Sequence, residues 1–423
     1  MYRSVSAEEA LKIVKSDDKL YIQAASAAPH VLLKALTERH EELKNVEICQ
    51  LHTEGEALYA DPKYASSFHV NSFFIGKNVR HTLKAGNGSY TPVFLSELPM
   101  LFKRNIVDVK VALIHVSVPD KHGYCSLGVS VEATLAAIEN ADQVIAQVNK
   151  QMPRTHGDGI IHVTEINYFV DCDEPLPELI SREASEVEER IGQCVANLIE
   201  DRSTLQMGIG MIPNAVLSKL IHHKDLGLHT EMFSDGVIDL ILNNVITGNY
   251  KGISPGRALA TFLMGTKRLY DYVDDNPYIE MRTSDYVNDV NNIRQNPKMV
   301  AINSAIEVDV TGQVCADSIG TQMYSGVGGQ MDFIRGASLS DGGKAIIALP
   351  SVTKNGVSRI VPSLKPGAGV VTTRSHVHYV VTEYGTANLY GKTIKQRVKE
   401  LVNISHPDHR EEIDRTYFDL VRS

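Results

Sequence analysis

Nowhere in the 423 residues does an apolar run approach the ~18 residues that a membrane span requires. The opening segment, Met1 to Glu8, also lacks the apolar region of a secretory signal. A soluble, cytoplasmic protein with no membrane partner is expected. Runs of one charge are missing too: 42 Lys and Arg are interspersed with 51 Asp and Glu for a net charge of -9. That balance argues against nucleic acid or an anionic membrane as the main partner and leaves room only for a local basic pocket. Paired cysteines are absent. Cys49, Cys125, Cys172, Cys194 and Cys315 are an odd, scattered set with no CxxC and no His-Cys cluster at zinc spacing, so they read as reduced, mostly buried thiols. His222-His223 and His376-x-His378 have no carboxylates at matching spacing and read as packed or solvated, so no metal is expected. Nucleotide fingerprints are lacking as well. In the two glycine loops, the third glycine of GxGxxG would fall on Pro213 or Met331, and there is no GxxxxGK[ST].

What the chain does have is an internal echo. The tetrapeptide LHTE occurs as Leu51 to Glu54 and again as Leu228 to Glu231. Before the first copy come a short helix after Ser6, a strand at Leu20-Tyr21-Ile22, small residues Ala24 to Ala28, and a helix opened by Pro29. Before the second come a helix with Ile191, Cys194, Val195 and Leu198 on one face, a strand at Thr204 to Met207, a glycine loop, and a helix opened by Pro213. After each copy an Asp-x-x-Gly turn follows a strand, at Asp120 and at Asp309. Strands alternating with helices through short glycine-rich turns predict an α/β fold: two similar tandem domains, each with a largely parallel sheet flanked by helices. The acidic, proline-bearing stretch Asp171 to Pro177 marks the boundary, giving domains over residues 1–180 and 181–423.

In such sheets ligands gather where strand carboxyl ends lead into helices. Two loops of the second half qualify, Gly208-Ile209-Gly210 and Gly326-Val327-Gly328-Gly329, both able to offer backbone N–H groups to an oxyanion or phosphate, with ordinary tight turns as the lesser alternative for each. Glu231 follows an apolar strand end at the same edge; a glutamate there also suits a cap or salt bridge. Glu54 has alanines where the other half has glycines, so only the second copy combines a carboxylate with nearby donors.

The segments GIGMIPNAV, HTEMFSDG, NSAIEVDVTGQV, SGVGGQMDF, SRIVPSL, VVTEYGTANLYGK and SHPDHREEI, with GNGSYTPVFLSELP and DKHGYCSLGVS in the first half, resemble the acetyl-CoA hydrolase/transferase branch of the class I CoA-transferases. Within that branch they look most like the 4-hydroxybutyrate and butyryl-CoA:acetate CoA-transferases. The resemblance implies the CoA-transferase type of fold and CoA exchange between a short-chain acyl-CoA and a carboxylic acid such as acetate. It implies Glu231 as the nucleophile of a ping-pong reaction, and the two glycine loops as oxyanion donors. Asn303 and Glu383 become orienting groups, although both also suit strand-end and turn-capping roles. Lys354 and Arg359 become candidates for binding CoA. Gly86 to Pro92 and Asp120 to Gly123 are expected to close over the site, and Glu54 to be structural or substrate-facing. The acyl-CoA thioester is then a substrate, with no permanently bound cofactor, and a homo-oligomer is the expected assembly. An acyl-CoA hydrolase with the same nucleophile, and a CoA or sugar-phosphate sensor without catalysis, are the competing readings.

Overall fold

In the computed structural model, residues 3–208 and 210–422 are described. They form two compact units, Met1–Ile180 with Leu259–Val287, and Ser181–Ala258 with Asn288–Ser423. Residues 259–287 thus cluster with the first unit instead of the second. The reason is backbone pairing: Glu280 and Met281 pair in parallel with His156 and Gly157, and the Leu263 N–H donates to the Val129 carbonyl at 2.8 Å.

The first unit is built on a seven-stranded sheet. Its strands are β1 Lys19–Ile22, β2 Val46–Gln50, β3 Phe68–Ser72, β4 Gly88–Tyr90, β5 Val111–Ser117, β6 Gln143–Asn149 and β7 Tyr168–Cys172. The order across the sheet is β7-β6-β5-β1-β2-β3-β4, and every neighbouring pair is parallel. Central β5, the sequence VALIHVS, is buried along its whole length, as a parallel strand covered on both faces must be. Helix α1, His30–Glu38, follows β1 and buries Leu32, Leu33 and Leu36.

The second unit repeats this plan. Helix α2, Glu186–Ala196, starts at a capping box in which Ser185 and Glu188 satisfy each other's backbone N–H groups. Strand β8 Thr204–Met207 leads into α3 Met211–Lys219, and β9 Gly227–Leu228 follows. Then come β10 Met299–Asn303, α4 Gln330–Leu339, β11 Lys344–Ala348, β12 Tyr379–Thr382 and β13 Gly385–Asn388. The sheet order is β9-β8-β10-β11-β12-β13, parallel except for the last, antiparallel pair. Pro213 does not open α3. It is the third helical residue, still within the first turn, where its missing N–H has no intrahelical partner to lose. Helices α2 and α3 meet closely at Gly192, where a Cβ would come within 2.8 Å of the Ala215 backbone.

The echo in sequence is therefore an echo in topology. First-strand β1 lies between β2 and β5, and β8 lies between β9 and β10. Each LHTE leaves the carboxyl end of the strand beside the first, β2 in one unit and β9 in the other. The two Asp-x-x-Gly turns are also alike. Asp120 Oδ1 accepts from the N–H groups of His122 and Tyr124 at 2.8 and 3.0 Å, and Asp309 Oδ1 from those of Thr311 and Gln313 at 2.9 and 3.0 Å. In both, the glycine takes a positive φ, 86° at Gly123 and 99° at Gly312. Among the described residues no helix is long and apolar enough to cross a membrane, and no group of three or more His, Cys, Asp or Glu side chains could hold a metal ion.

Candidate active site

The carboxyl edge of the second sheet presents, strand by strand, most of the residues singled out from the sequence. At β9 the segment after Leu228 is tied down on both sides. The His229 N–H donates to the Leu205 carbonyl at 3.0 Å, and the His229 ring Nδ1 lies 2.8 Å from Asn296 Nδ2. The Thr230 hydroxyl accepts from the Met207 N–H at 3.1 Å and has the Met207 and Met232 carbonyls as acceptors at 3.0 and 2.8 Å. Both residues are fully buried. With its two predecessors locked to β8, Glu231 has its backbone fixed at the sheet edge.

Its carboxylate is held from the side of α4. Asn288 Nδ2 lies 3.1 Å from Glu231 Oε2, and the Gly329 N–H at the helix N-terminus donates to the same carboxylate. The approach is close enough to require glycine: a Cβ at position 329 would sit 1.9 Å from Oε2 and 2.2 Å from Asn288 Nδ2. Although Glu231 as a residue keeps some exposure, its carboxyl group is densely enclosed. Burial pushes the pKa up to about 7, against the lowering effect of Asn288 and Gly329 and with a smaller push from Asp332. A carboxylate so poorly solvated, with one face fixed by two donors, is suited to attack an electrophile.

The first LHTE is arranged differently. His52 Nε2 lies 2.8 Å from Glu54 Oε1, so this glutamate is engaged by its own histidine, whereas His229 turns to Asn296. Ala25, at a positive φ of 54°, receives the Glu54 N–H and donates to His52, where the other unit has glycines.

The remaining sites distribute along the edge. Gly210 caps α3 with φ of 112°, a conformation that excludes most side chains, while a Cβ on Gly208 would meet nothing closer than 3.9 Å. Ile209 lies outside the described residues. Gly326 and Gly328 are buried, Val327 is half-buried, and Gly328 has a positive φ of 56°. Asn303 and Glu383 serve neighbours. Asn303 Nδ2 donates at 3.0 Å to Gln206 Oε1, which also takes the Ile302 N–H at 3.1 Å. Glu383 receives the N–H and hydroxyl of buried Ser351 at 2.9 and 2.6 Å. Lys354 stands exposed on a turn. Arg359 is half-buried, donates to the Ala305 carbonyl at 3.2 Å, and has a buried Nε without a partner; desolvation lowers its pKa. That guanidinium could accept an anion.

Two neighbours of Glu231 were not singled out in advance. Asp332 lies inside the SGVGGQMDF block, and an acidic residue three positions after a helix-capping glycine was a readable signal. Asn288 carries no local signal.

A family model described as the acetyl-CoA hydrolase/transferase N-terminal domain matches residues 1–180, and one described as the C-terminal domain of the same family matches residues 265–417. The chain belongs to the acetyl-CoA hydrolase/transferase family. A family member from Fasciola hepatica, named a succinyl-CoA:acetate/propanoyl-CoA:succinate CoA transferase, is 50% identical over 98% of this chain and 87% of its own length. The 4-hydroxybutyrate coenzyme A transferase of Clostridium kluyveri is 48% identical over 97% of this chain and 96% of its own. The crystal structure of a 4-hydroxybutyrate CoA-transferase from Porphyromonas gingivalis superposes with a TM-score of 0.84 at 39% identity, covering 98% of this chain and 97% of the other.

Proposed function

We propose that this CoA-transferase moves CoA between a short-chain acyl-CoA, 4-hydroxybutyryl-CoA or butyryl-CoA, and a carboxylic acid such as acetate, through a covalent intermediate on Glu231. The observation that carries the reading is the enclosed Glu231 carboxylate, fixed by Asn288 and by the Gly329 N–H at a helix N-terminus. A carboxylate oxygen of Glu231 attacks the thioester carbonyl, the C–S bond breaks, and CoA leaves as thiolate. The anhydride so formed is attacked at the glutamyl carbonyl by the thiolate; the C–O bond breaks, the first acid departs with a Glu231 oxygen, and a glutamyl-CoA thioester remains. A second carboxylate reverses the sequence. Thioester and anhydride are close in energy, so activation is retained. The negative oxygen of each tetrahedral adduct needs N–H donors, for which the Gly208 to Gly210 and Gly326 to Gly329 loops are the candidates. Arg359 and Lys354 are the candidate cations for CoA.

The test is intact and peptide mass spectrometry after incubation with butyryl-CoA, followed by borohydride. A CoA adduct on the Glu231 peptide that borohydride removes, absent in Glu231→Ala, supports the reading; an adduct on Glu54 overturns it. Acetate should accelerate loss of butyryl-CoA and yield acetyl-CoA. Thioester loss to free CoA that acetate leaves unchanged would identify a hydrolase.

A further inference from the structure

The geometry points to Asp332 and Asn288 as the pair that sets how readily Glu231 passes between free carboxylate and covalent CoA thioester, an inference that rests on Glu231 being the nucleophile. Asn288 is fully buried, and its Nδ2 lies 3.1 Å from Glu231 Oε2 and 3.3 Å from Asp332 Oδ2. One amide nitrogen, with two N–H groups, therefore spans both carboxylates. Asn288 Oδ1 has no partner, so nothing on the oxygen side sets the orientation of the amide. The two acceptors do, since a flipped amide would turn its oxygen towards both. Gly329 leaves no room for a competing side chain at this junction.

Asp332 is the third residue of α4, where the helix N-terminus favours its negative charge. In the free enzyme two carboxylates thus share one amide and one helix end. The arrangement is strained electrostatically, and Asp332 is the charged side chain that acts on the Glu231 carboxyl. The other titratable group of the segment, His229, has its Nδ1 2.8 Å from Asn296 and its ring packed edge-on against Phe333. When Glu231 becomes a thioester, its charge leaves the site on the released acid, and Asp332 keeps both the amide and the helix end. Asp332 therefore raises the free carboxylate relative to the covalent state and favours loading. Asn288 holds Oε2 in place meanwhile, and it is a positioning residue.

The measurement is the equilibrium constant for loading, from intact mass spectra of the protein with acetyl-CoA and acetate at set ratios, together with the pH profile of kcat/KM. In Asp332→Asn, loading should fall about tenfold as the like-charge repulsion is removed, and the acid limb of the profile should move to lower pH. Asp332→Glu, which restores the charge, should recover most of the loss. In Asn288→Ser, kcat should fall more than KM changes. An Asp332→Asn protein that loads Glu231 to the unaltered extent with an unmoved acid limb would overturn the inference while leaving the nucleophile in place. Absence of any Glu231 adduct in the unsubstituted protein would overturn the nucleophile itself.

Discussion

Replacing Glu231 by Gln should abolish CoA transfer and at the same time stabilise the protein at alkaline pH. Burial, with Asp332 adding to it, lifts the Glu231 carboxyl from its ordinary 4.5 to about 7. The folded protein consequently keeps this proton at pH values where the unfolded chain has released it. The sign follows from linkage: the proton's contribution to stability is fully present below about 4.5, and it is lost as pH rises through about 7. A difference of that size corresponds to about 3 kcal/mol. Glutamine has the same shape and cannot ionise, so the stability gap between Glu231→Gln and the unsubstituted protein should be small near pH 4.5 and reach about 3 kcal/mol at pH 8. For a melting unit of roughly 200 residues this is a rise in Tm of about 5 to 10 °C at pH 8. Thermal melts of both proteins from pH 4.5 to 8 measure it. A gap that stays constant over this range would show that Glu231 is not the group titrating, and would refute the account of its burial.

Other substitutions probe the same structure. Gly329→Ala places a methyl group 1.9 Å from Oε2 and 2.2 Å from the buried Asn288 Nδ2. Transfer activity should drop about 100-fold or more, and Tm should fall as well, because the site must open to admit the methyl although the backbone, at φ -97°, suits alanine. Asn288→Ala removes the donor shared by two carboxylates and should cost about 1 to 3 kcal/mol in denaturant titrations. Glu54→Gln should leave covalent labelling of Glu231 intact, since Glu54 is engaged by His52. Loss of the adduct there would give the first LHTE a catalytic part. Gly192→Ala forces α2 and α3 apart and should destabilise by about 1 to 3 kcal/mol without altering the pH profile of transfer.

Much of this protein was written locally. Alternating apolar strands and helices, the Asp-x-x-Gly turns and the doubled LHTE are short-range patterns, and each produced the element or turn it implied, down to the matching acceptor roles of Asp120 and Asp309. Glycine at 210 and 328 was likewise legible, because positive φ is a local demand on the backbone. Even the family was readable, its motifs being contiguous blocks. Three features were decided only by tertiary structure. The return of residues 259–287 to the first unit depends on pairing partners more than a hundred positions away, at Val129 and His156. The unlike fates of the two identical tetrapeptides depend on what surrounds each histidine: His229 is drawn to Asn296, and His52 is left to hold Glu54. Asn288 reaches Glu231 across 57 positions of sequence, and no periodicity or spacing encodes that contact. The repeated tetrapeptide offered two carboxylates, and the glycine loops and family blocks pointed to the second; its burial, its donors and its charged neighbour exist only once the sheet edge and the N-terminus of α4 have met.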